Sequence, residues 1–333
     1  MTRGRGMPLL RRRPGTRVFY AADLHGSTPT WRKFVNAAAF YGADALVFGG
    51  DLMGKALVPI VERGGPLRAE IAGEVVEGDR TELPALAERI EVRGHYWKVM
   101  DPDEHARLAE DPLLVEGETQ ELARERLRTW IAFARERLDG TDVRVYLTGG
   151  NDDAPSVLDV LTDENDDRIV ASEGVLVDLD DEHTMITVGL STPTPWDTPR
   201  EASEAVIERA IEDAVAGVPD ISRCVFNLHC PPKDTILDRC LKLEVVPGQL
   251  PRPIREGGRF VTTGGGSVAV REAVGRHQPL VALHGHIHES AGRLKIGRTF
   301  CFNPGSEYGQ GRLEGVLLRL DGGRLAAYQH TSG

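Results

Sequence analysis

Five short apolar runs in this chain end the same way, in a turn that carries carboxylate, amide or imidazole side chains. "VFYAADLHGS" delivers Asp23 and His25, and "ALVFGGDLMG" delivers Asp51. "VYLTGGNDD" delivers Asn151, with Asp152 and Asp153 behind it. "VFNLHCPP" adds His229, and "LVALHGHIHES" adds His284, His286 and His288. In an open α/β sheet, ligands bind outside the carboxyl ends of the strands. Five strands that bring Asp, Asn and His to one edge describe one site. Singly each piece is weak: a D-x-H is common, and "GGD" after a strand is usually a turn. Three histidines within five residues, in a chain that has only ten, are harder to dismiss.

The spacing has a physical meaning. In an extended or tightly turning segment, residues i and i+2 can point the same way. Asp23 and His25 can then chelate one ion, and the histidines of "GHIH" can reach two neighbouring ions. Gly49, Gly50, Gly149, Gly150 and Gly285 let the backbone turn sharply beside them. Asp51, alone on its turn, can bridge two ions with its two oxygens. The mixed carboxylate, amide and imidazole donors suit Mn²⁺, Fe or Zn²⁺ and not a thiolate site.

The frame around these turns alternates. Residues 17–22 read as a strand, 29–41 as a helix and 45–48 as a second strand, a βαβ opening that implies a parallel sheet. Residues 55–140 interrupt the rhythm and read as a partly helical insertion that packs on the main domain. It contains a small hairpin and an amphipathic helix over 119–138, with Ala123, Leu127, Trp130, Ile131, Ala134 and Leu138 on one face. The rhythm resumes with strands at 143–147, 174–178, 184–189, 223–228 and 280–283. Helices are expected at 154–161, 201–216 and 267–276. An irregular stretch runs from 230 to 266, and the tail is a strand meander. With 333 residues, a single domain over 1–333 is expected, with a flexible basic tail at 1–15.

Composition excludes several classes. The net charge of −11 repels nucleic acid and anionic membranes, so a phosphate partner needs a local positive feature such as bound metal ions. No apolar run approaches the ~18 residues of a membrane span. The Arg-rich N-terminus lacks the apolar stretch of a signal peptide. Cys224, Cys230, Cys240 and Cys301 show no C-x-x-C spacing and read as reduced thiols, hence a cytoplasmic location. The sequence leaves a homo-oligomer open.

The ordered set D-x-H, G-D, G-N-x-[DE], H and G-H-x-H resembles the calcineurin-like metallophosphoesterase superfamily. The resemblance spans Asp23 to His288. It implies an α/β fold, a four-layer α/β/β/α sandwich, with a dinuclear centre of two divalent metal ions. Asp23, His25, Asp51 and His288 would hold one ion; Asp51, Asn151, His229 and His286 would hold the other, with Asp51 as the bridge. "FNPGS", Phe302 to Ser306, resembles an element of the smaller members. The implied activity is hydrolysis of a small phosphorylated substrate, a phosphodiester more than a monoester, by attack of a metal-bridging hydroxide. Two ions can bring a water's pKa from about 15.7 to roughly 7 and clamp the phosphoryl oxygens.

One departure stands out. Many members carry a histidine directly after the metal-binding asparagine, as proton donor to the leaving group. Here that position is Asp152, which as a carboxylate has the wrong charge for the task. This G-N-D-D variant resembles the smaller, diesterase-like branch, and Asp153 would orient a metal histidine from behind. Thr192, Trp196 and Arg200, from "STPTPWDTPRE", are candidates for substrate contact, as are Lys233 and Arg239. His95, Tyr96, Trp97 and His105 are candidates for a lid, and His284 for a satisfied strand-end histidine. The competing reading is a non-catalytic member of the fold that binds metal and serves as a protein-interaction scaffold.

Overall fold

The computed structural model describes residues 15–246, 249 and 251–333. The basic tail expected at 1–15 lies outside the described residues, apart from Gly15. The chain opens with β1 (Thr16–Ala21), α1 (Thr28–Tyr41) and β2 (Ala45–Phe48). Then come β3 (Leu57–Glu62), β4 (Leu67–Ile71), β5 (Glu74–Gly78), α2 (Leu83–Val92) and β6 (Tyr96–Met100). Helices α3 (Pro102–Glu110) and α4 (Pro112–Arg137) lead to β7 (Arg144–Leu147), α5 (Pro155–Asp163), β8 (Ile169–Ala171), β9 (Val177–Asp178) and β10 (Thr184–Val188). Next are α6 (Glu204–Val215) and β11 (Cys224–Leu228), then six very short strands: β12 (Arg239–Leu241), β13 (Leu243–Glu244), β14 (Arg252–Pro253), β15 (Arg255–Glu256), β16 (Arg259–Phe260) and β17 (Thr262–Gly264). The chain closes with α7 (Val268–His277), β18 (Val281–Leu283), β19 (Gly292–Ile296), β20 (Thr299–Asn303), β21 (Glu314–Asp321) and β22 (Arg324–Ser332).

Two six-stranded sheets form the centre, ordered β22-β21-β1-β2-β7-β8 and β19-β20-β18-β11-β10-β9. Four strands of each run parallel: β1, β2, β7 and β8 in one sheet, and β10, β11, β18 and β20 in the other. Strands buried on both faces read as unbroken apolar runs, which is how these appear in the sequence. Alternation then divides their side chains. Val18 and Tyr20 of β1, Val47 of β2 and Tyr146 of β7 meet Met185, Val225 and Leu283 between the sheets. Phe19, Leu46, Phe48 and Val145 face outward to a core shared with α1, α4 and α5. Ile186, Phe226 and Ala282 face the other way, to α6 and α7. The result is the expected four-layer α/β/β/α sandwich.

Helix α4 belongs to this frame. Its Ala123, Leu127, Trp130, Ile131 and Ala134 enter the main core, and Trp130 stacks on Trp31 of α1 with ring centroids 5.0 Å apart and planes 7° apart. Such a stacked pair contributes about 0.5–1.5 kcal/mol beyond its buried area. The helix starts earlier than its apolar period suggests. Pro112 occupies its first turn, and the Asp111 carboxylate caps it by accepting from the Leu113 amide at 2.9 Å.

Between β2 and α3, the hairpin of β4 and β5 is part of a four-stranded sheet ordered β5-β4-β3-β6. This sheet has its own small core of Val58, Ile60, Leu67, Ala69, Ile71, Leu86 and Ile90. The stretch from 230 to 266 is not wholly irregular, because short antiparallel pairs carry much of it. The strand expected at 174–178 is reduced to β9, and β8 takes the edge position on the other sheet. No helix among the described residues is long and apolar enough to cross a membrane.

Candidate metal centre

The parallel strands of both sheets end at one edge, and the backbone there is tightly bound. Beyond β1 and β2 the chains run on side by side, with Asp23 N–H on Gly50 O at 2.9 Å and His25 N–H on Asp51 O at 3.0 Å. The two sheets are tied where the Asp23 carboxylate accepts the His286 amide at 2.9 Å and where Asn227 Nδ2 donates to Phe48 O at 3.2 Å. "FNPGS" supports the histidine turn: Asn303 Nδ2 donates to Ile287 O at 3.0 Å, and Ser306 Oγ donates to Asp23 O at 2.6 Å.

Asp23, His25, Asp51 and His286 all have positive φ, at 58°, 44°, 55° and 68°. A non-glycine residue in this region costs of order 1–3 kcal/mol, and such strain persists where the surroundings over-determine it. Four such residues on three turns are concentrated where their side chains converge.

The convergence yields two separate triads, Asp23–His25–His288 and Asp51–His229–His286, and a third group, His25–Asp51–Asp152, that overlaps both; within each the donor atoms lie within 4.8 Å of one another. Asp51 connects them, because its Oδ2 lies 3.4 Å from His229 Nε2 and 3.6 Å from His25 Nε2. Asn151 Oδ1 lies 3.1 Å from His229 Nε2 and extends the second triad. The side chains of Asp23, Asp51, Asn151 and His229 are buried.

The donor set fits divalent cations. His229 Nδ1 is 2.8 Å from the Gly49 carbonyl, so that nitrogen carries the proton and Nε2 presents a lone pair. Nε2, Asn151 Oδ1 and Asp51 Oδ2 can then all present lone pairs to one cation, and without a cation a proton on Nε2 relieves their repulsion. His25 Nε2 and His288 Nε2 also face each other, at 3.0 Å. In the ion-free protein, burial opposes charge on His229, but the Asp51 carboxylate outweighs it and holds the imidazolium up to about 9. The glycines leave room for close approach. A Cβ on Gly150 would sit 2.2 Å from Asp51 Oδ1, and one on Gly285 would sit 2.5 Å from Asp23 Oδ2.

Asp153 does not face the centre. Its carboxylate accepts from the amides of Leu52, Met53 and Gly150 at 2.8–2.9 Å and so splices the Asp51 turn to the Asn151 turn. It positions these two turns and makes no hydrogen bond to the clustered histidines. Asp152 lines the cleft, with its amide on Asp51 Oδ1 at 2.9 Å and its carboxylate on Lys55 Nζ at 2.7 Å.

The remaining candidates separate. Trp196 lines the cleft and is exposed. Arg200 does not; it holds the Asn151 turn from behind through Gly150 O at 3.0 Å and an ion pair with Glu173. Thr192 is also off the cleft lining, where its neighbours Pro193 and Thr194 stand instead. Lys233 bonds Gly264 O at 2.6 Å, and neither it nor Arg239 lines the cleft. The four aromatic and histidine residues expected in a lid are not on the cleft either: Tyr96 is in the main core, and Trp97 Nε1 bonds Glu91. His284 is half satisfied, with Nδ1 on Leu228 O at 2.8 Å and Nε2 buried without a partner. All four cysteines are free.

Sequence reasoning missed Lys55, Tyr308, Lys242 and Thr198. Tyr308 packs its ring against His25 and His288, at 4.8 and 5.9 Å between centroids. Thr198 Oγ1 accepts a hydrogen bond from Asn151 Nδ2 at 2.9 Å, which turns the amide oxygen inward. Lys55 alone left a signal, a lysine four residues after Asp51 on the same turn. The cleft above these residues has a volume of about 590 Å³, and one wall is apolar, with Leu241, Leu243 and Ile287.

No protein-family model matches the chain, and no curated protein matches it. Solved structures do. One crystal structure aligns with 96% of this chain and 98% of its own at 18% identity, with a TM-score of 0.56. The protein TT1561 of Thermus thermophilus aligns over 96% and 98% at 14% identity, with a TM-score of 0.51. An archaeal phosphodiesterase also aligns, over 96% of this chain and all of its own, at 12% identity and a TM-score of 0.38. At these identities the likeness of the first two establishes the fold alone, an α/β architecture.

Proposed function

We propose that this protein is a metal-dependent phosphoesterase that hydrolyses a phosphodiester in the cleft above the two triads. The observation that carries the reading is the position of Asp51 Oδ2, shared between His25 and His229 at the junction of two separate ligand sets. Asp23, His25 and His288 would hold one divalent ion, and Asn151, His229 and His286 the other, with Asp51 common to both. Bound there, two such ions supply Lewis acidity and neutralise negative charge on a phosphoryl group.

The chain supplies the rest. Asp153 and Thr198 fix the turns and the amide orientation, so the ligand atoms need little reorganisation when a substrate arrives. Tyr308 shields the His25 and His288 side. Trp196 and the apolar wall offer a surface for an organic group of the ester. The preference for a diester rests on that surface, because a diester carries a second organic group for Trp196 and the apolar wall to cover and a monoester does not.

The test is turnover of bis-p-nitrophenyl phosphate by full-length protein loaded in turn with Mn²⁺, Ni²⁺, Co²⁺ and Zn²⁺. The expected result is metal-dependent release of p-nitrophenol, with at least about tenfold slower turnover of the monoester. Protein that binds the metals and hydrolyses neither ester would instead support the scaffold reading.

A further inference from the structure

We propose that Lys55 is a catalytic residue that faces the departing oxygen of the substrate and stands in for the histidine that Asp152 replaces. The inference rests on the hydrolytic reading above and names the group that this reading lacks.

The Lys55 side chain is held on one side of the cleft and open on the other. Its Nζ lies 2.7 Å from Asp152 Oδ2, yet the side chain is 57% exposed and lines the cleft. Asp152 is in turn fixed to the centre, with Oδ2 3.4 Å from His25 Nδ1 and its amide on Asp51 Oδ1. An ammonium has three donors, so the bond to Asp152 leaves two for a substrate oxygen. The backbone around Lys55 is equally constrained. The Leu52 and Met53 amides sit on Asp153, and the Ala56 carbonyl accepts from Tyr96 at 2.8 Å. Gly54 packs so closely that an added Cβ would lie 1.9 Å from Gly94 O.

This arrangement also gives Asp152 a purpose. Alone beside a phosphate, its charge would repel. Paired with Lys55, it is neutralised and becomes the arm that positions the ammonium next to the ligand cluster. Lys242, the other lysine on the cleft lining, stands on the β12–β17 side.

The step balances without a change in the state of Lys55. A water oxygen forms the new bond to phosphorus, and the bond from phosphorus to the ester oxygen breaks, with its electron pair staying on that oxygen. The water gives one proton to solvent, and the departing oxygen takes one from solvent. Lys55 remains an ammonium throughout and stabilises the oxygen's negative charge while it lasts.

The experiment uses Lys55→Met and Lys55→Arg in the full-length Mn²⁺-loaded protein, with aryl methyl phosphate diesters whose leaving groups run from p-nitrophenol to phenol. The Lys55→Met deficit is expected to grow from a few-fold to about 100-fold along the series, and Lys55→Arg to recover at least ~10-fold of it on the phenol ester. Titration calorimetry with inorganic phosphate gives a second readout, with about tenfold weaker binding expected for Lys55→Met. A deficit equal for all leaving groups, or a phosphate affinity unchanged in Lys55→Met, overturns the role of Lys55 alone. Wild-type protein that loads Mn²⁺ and turns over none of the diesters overturns the hydrolytic reading and this role with it.

Discussion

Asp51 Oδ2 lies 3.4 Å from His229 Nε2, and because His229 donates Nδ1–H to the Gly49 carbonyl, Nε2 can face a cation once it gives up its own proton. Two such atoms held that close in a buried site are complementary to a cation, which displaces the proton that otherwise joins them. Because the same oxygen also faces His25, one substitution should reach both triads. Asp51→Asn should lower bound Mn²⁺ from about two ions per chain to less than one, with activity down by at least ~100-fold. Elemental analysis after gel filtration measures the first and diester turnover the second. Full occupancy at one triad would limit Asp51 to the other.

Asp153 should matter to stability before it matters to chemistry. Its carboxylate satisfies three backbone donors from two turns, and all three amides are buried with it. A buried donor left unmade costs about 1–3 kcal/mol. Burial, and then the Asp51 charge, raise the Asp153 carboxyl above its usual range, so part of that benefit is already offset. Asp153→Ala should therefore lose about 3 kcal/mol in urea unfolding of the EDTA-treated protein, and Asp153→Asn about half of that. A loss below ~1 kcal/mol for the alanine variant would mean that the turns find other partners.

Gly150 is a test of close approach. Its missing side chain is what lets the Asn151 turn lie against Asp51 and His229, 2.2 and 2.7 Å from where a Cβ would stand. Gly150→Ala should displace these ligands and reduce Mn²⁺ binding by at least ~100-fold. Gly117 is the control, exposed in α4 with open space around it. Gly117→Ala should leave metal content unchanged and stabilise the protein by roughly 0.5–1 kcal/mol. If both variants bind Mn²⁺ normally, the packing at Gly150 is not critical to the centre.

Much of this site is legible in the sequence because parallel strands leave two plain marks: buried apolar runs, and polar residues where the runs end. Asp23, His25, Asp51, Asn151, His229, His286 and His288 carry those marks, and the fold brings them together. Tyr308 and Thr198 do not, since each reaches the site across the fold from a stretch with no metal-ligand spacing, and Lys55 is marked only by its closeness to Asp51. Arg200 misleads for a related reason. A loop arginine near a site can bind substrate or hold backbone, and only the position of the Gly150 carbonyl decides. The four-stranded sheet around β3 and β6 is hidden because its parallel pair is separated by a hairpin and a helix, so neither strand has its partner nearby in sequence.

Metal binding should also be visible without any substrate. The triads and Asn151 gather residues from five separate turns, so the unfolded chain has no equivalent site, and ions that bind only the folded form stabilise it. A single site contributes about 2.7 kcal/mol when the free ion is at a hundred times its dissociation constant. Two sites should then raise the thermal midpoint by roughly 5–10 °C in a chain of this size. EDTA should reverse the rise. Asp51→Asn should lose most of it, because the charge common to both triads is gone, whereas Gly117→Ala should retain all of it. Differential scanning calorimetry of the three proteins with and without Mn²⁺ makes the comparison. A wild-type shift under ~1 °C at saturating Mn²⁺ would mean that the acceptor cluster is met by protons and not by metal, and the centre would have to be reassigned.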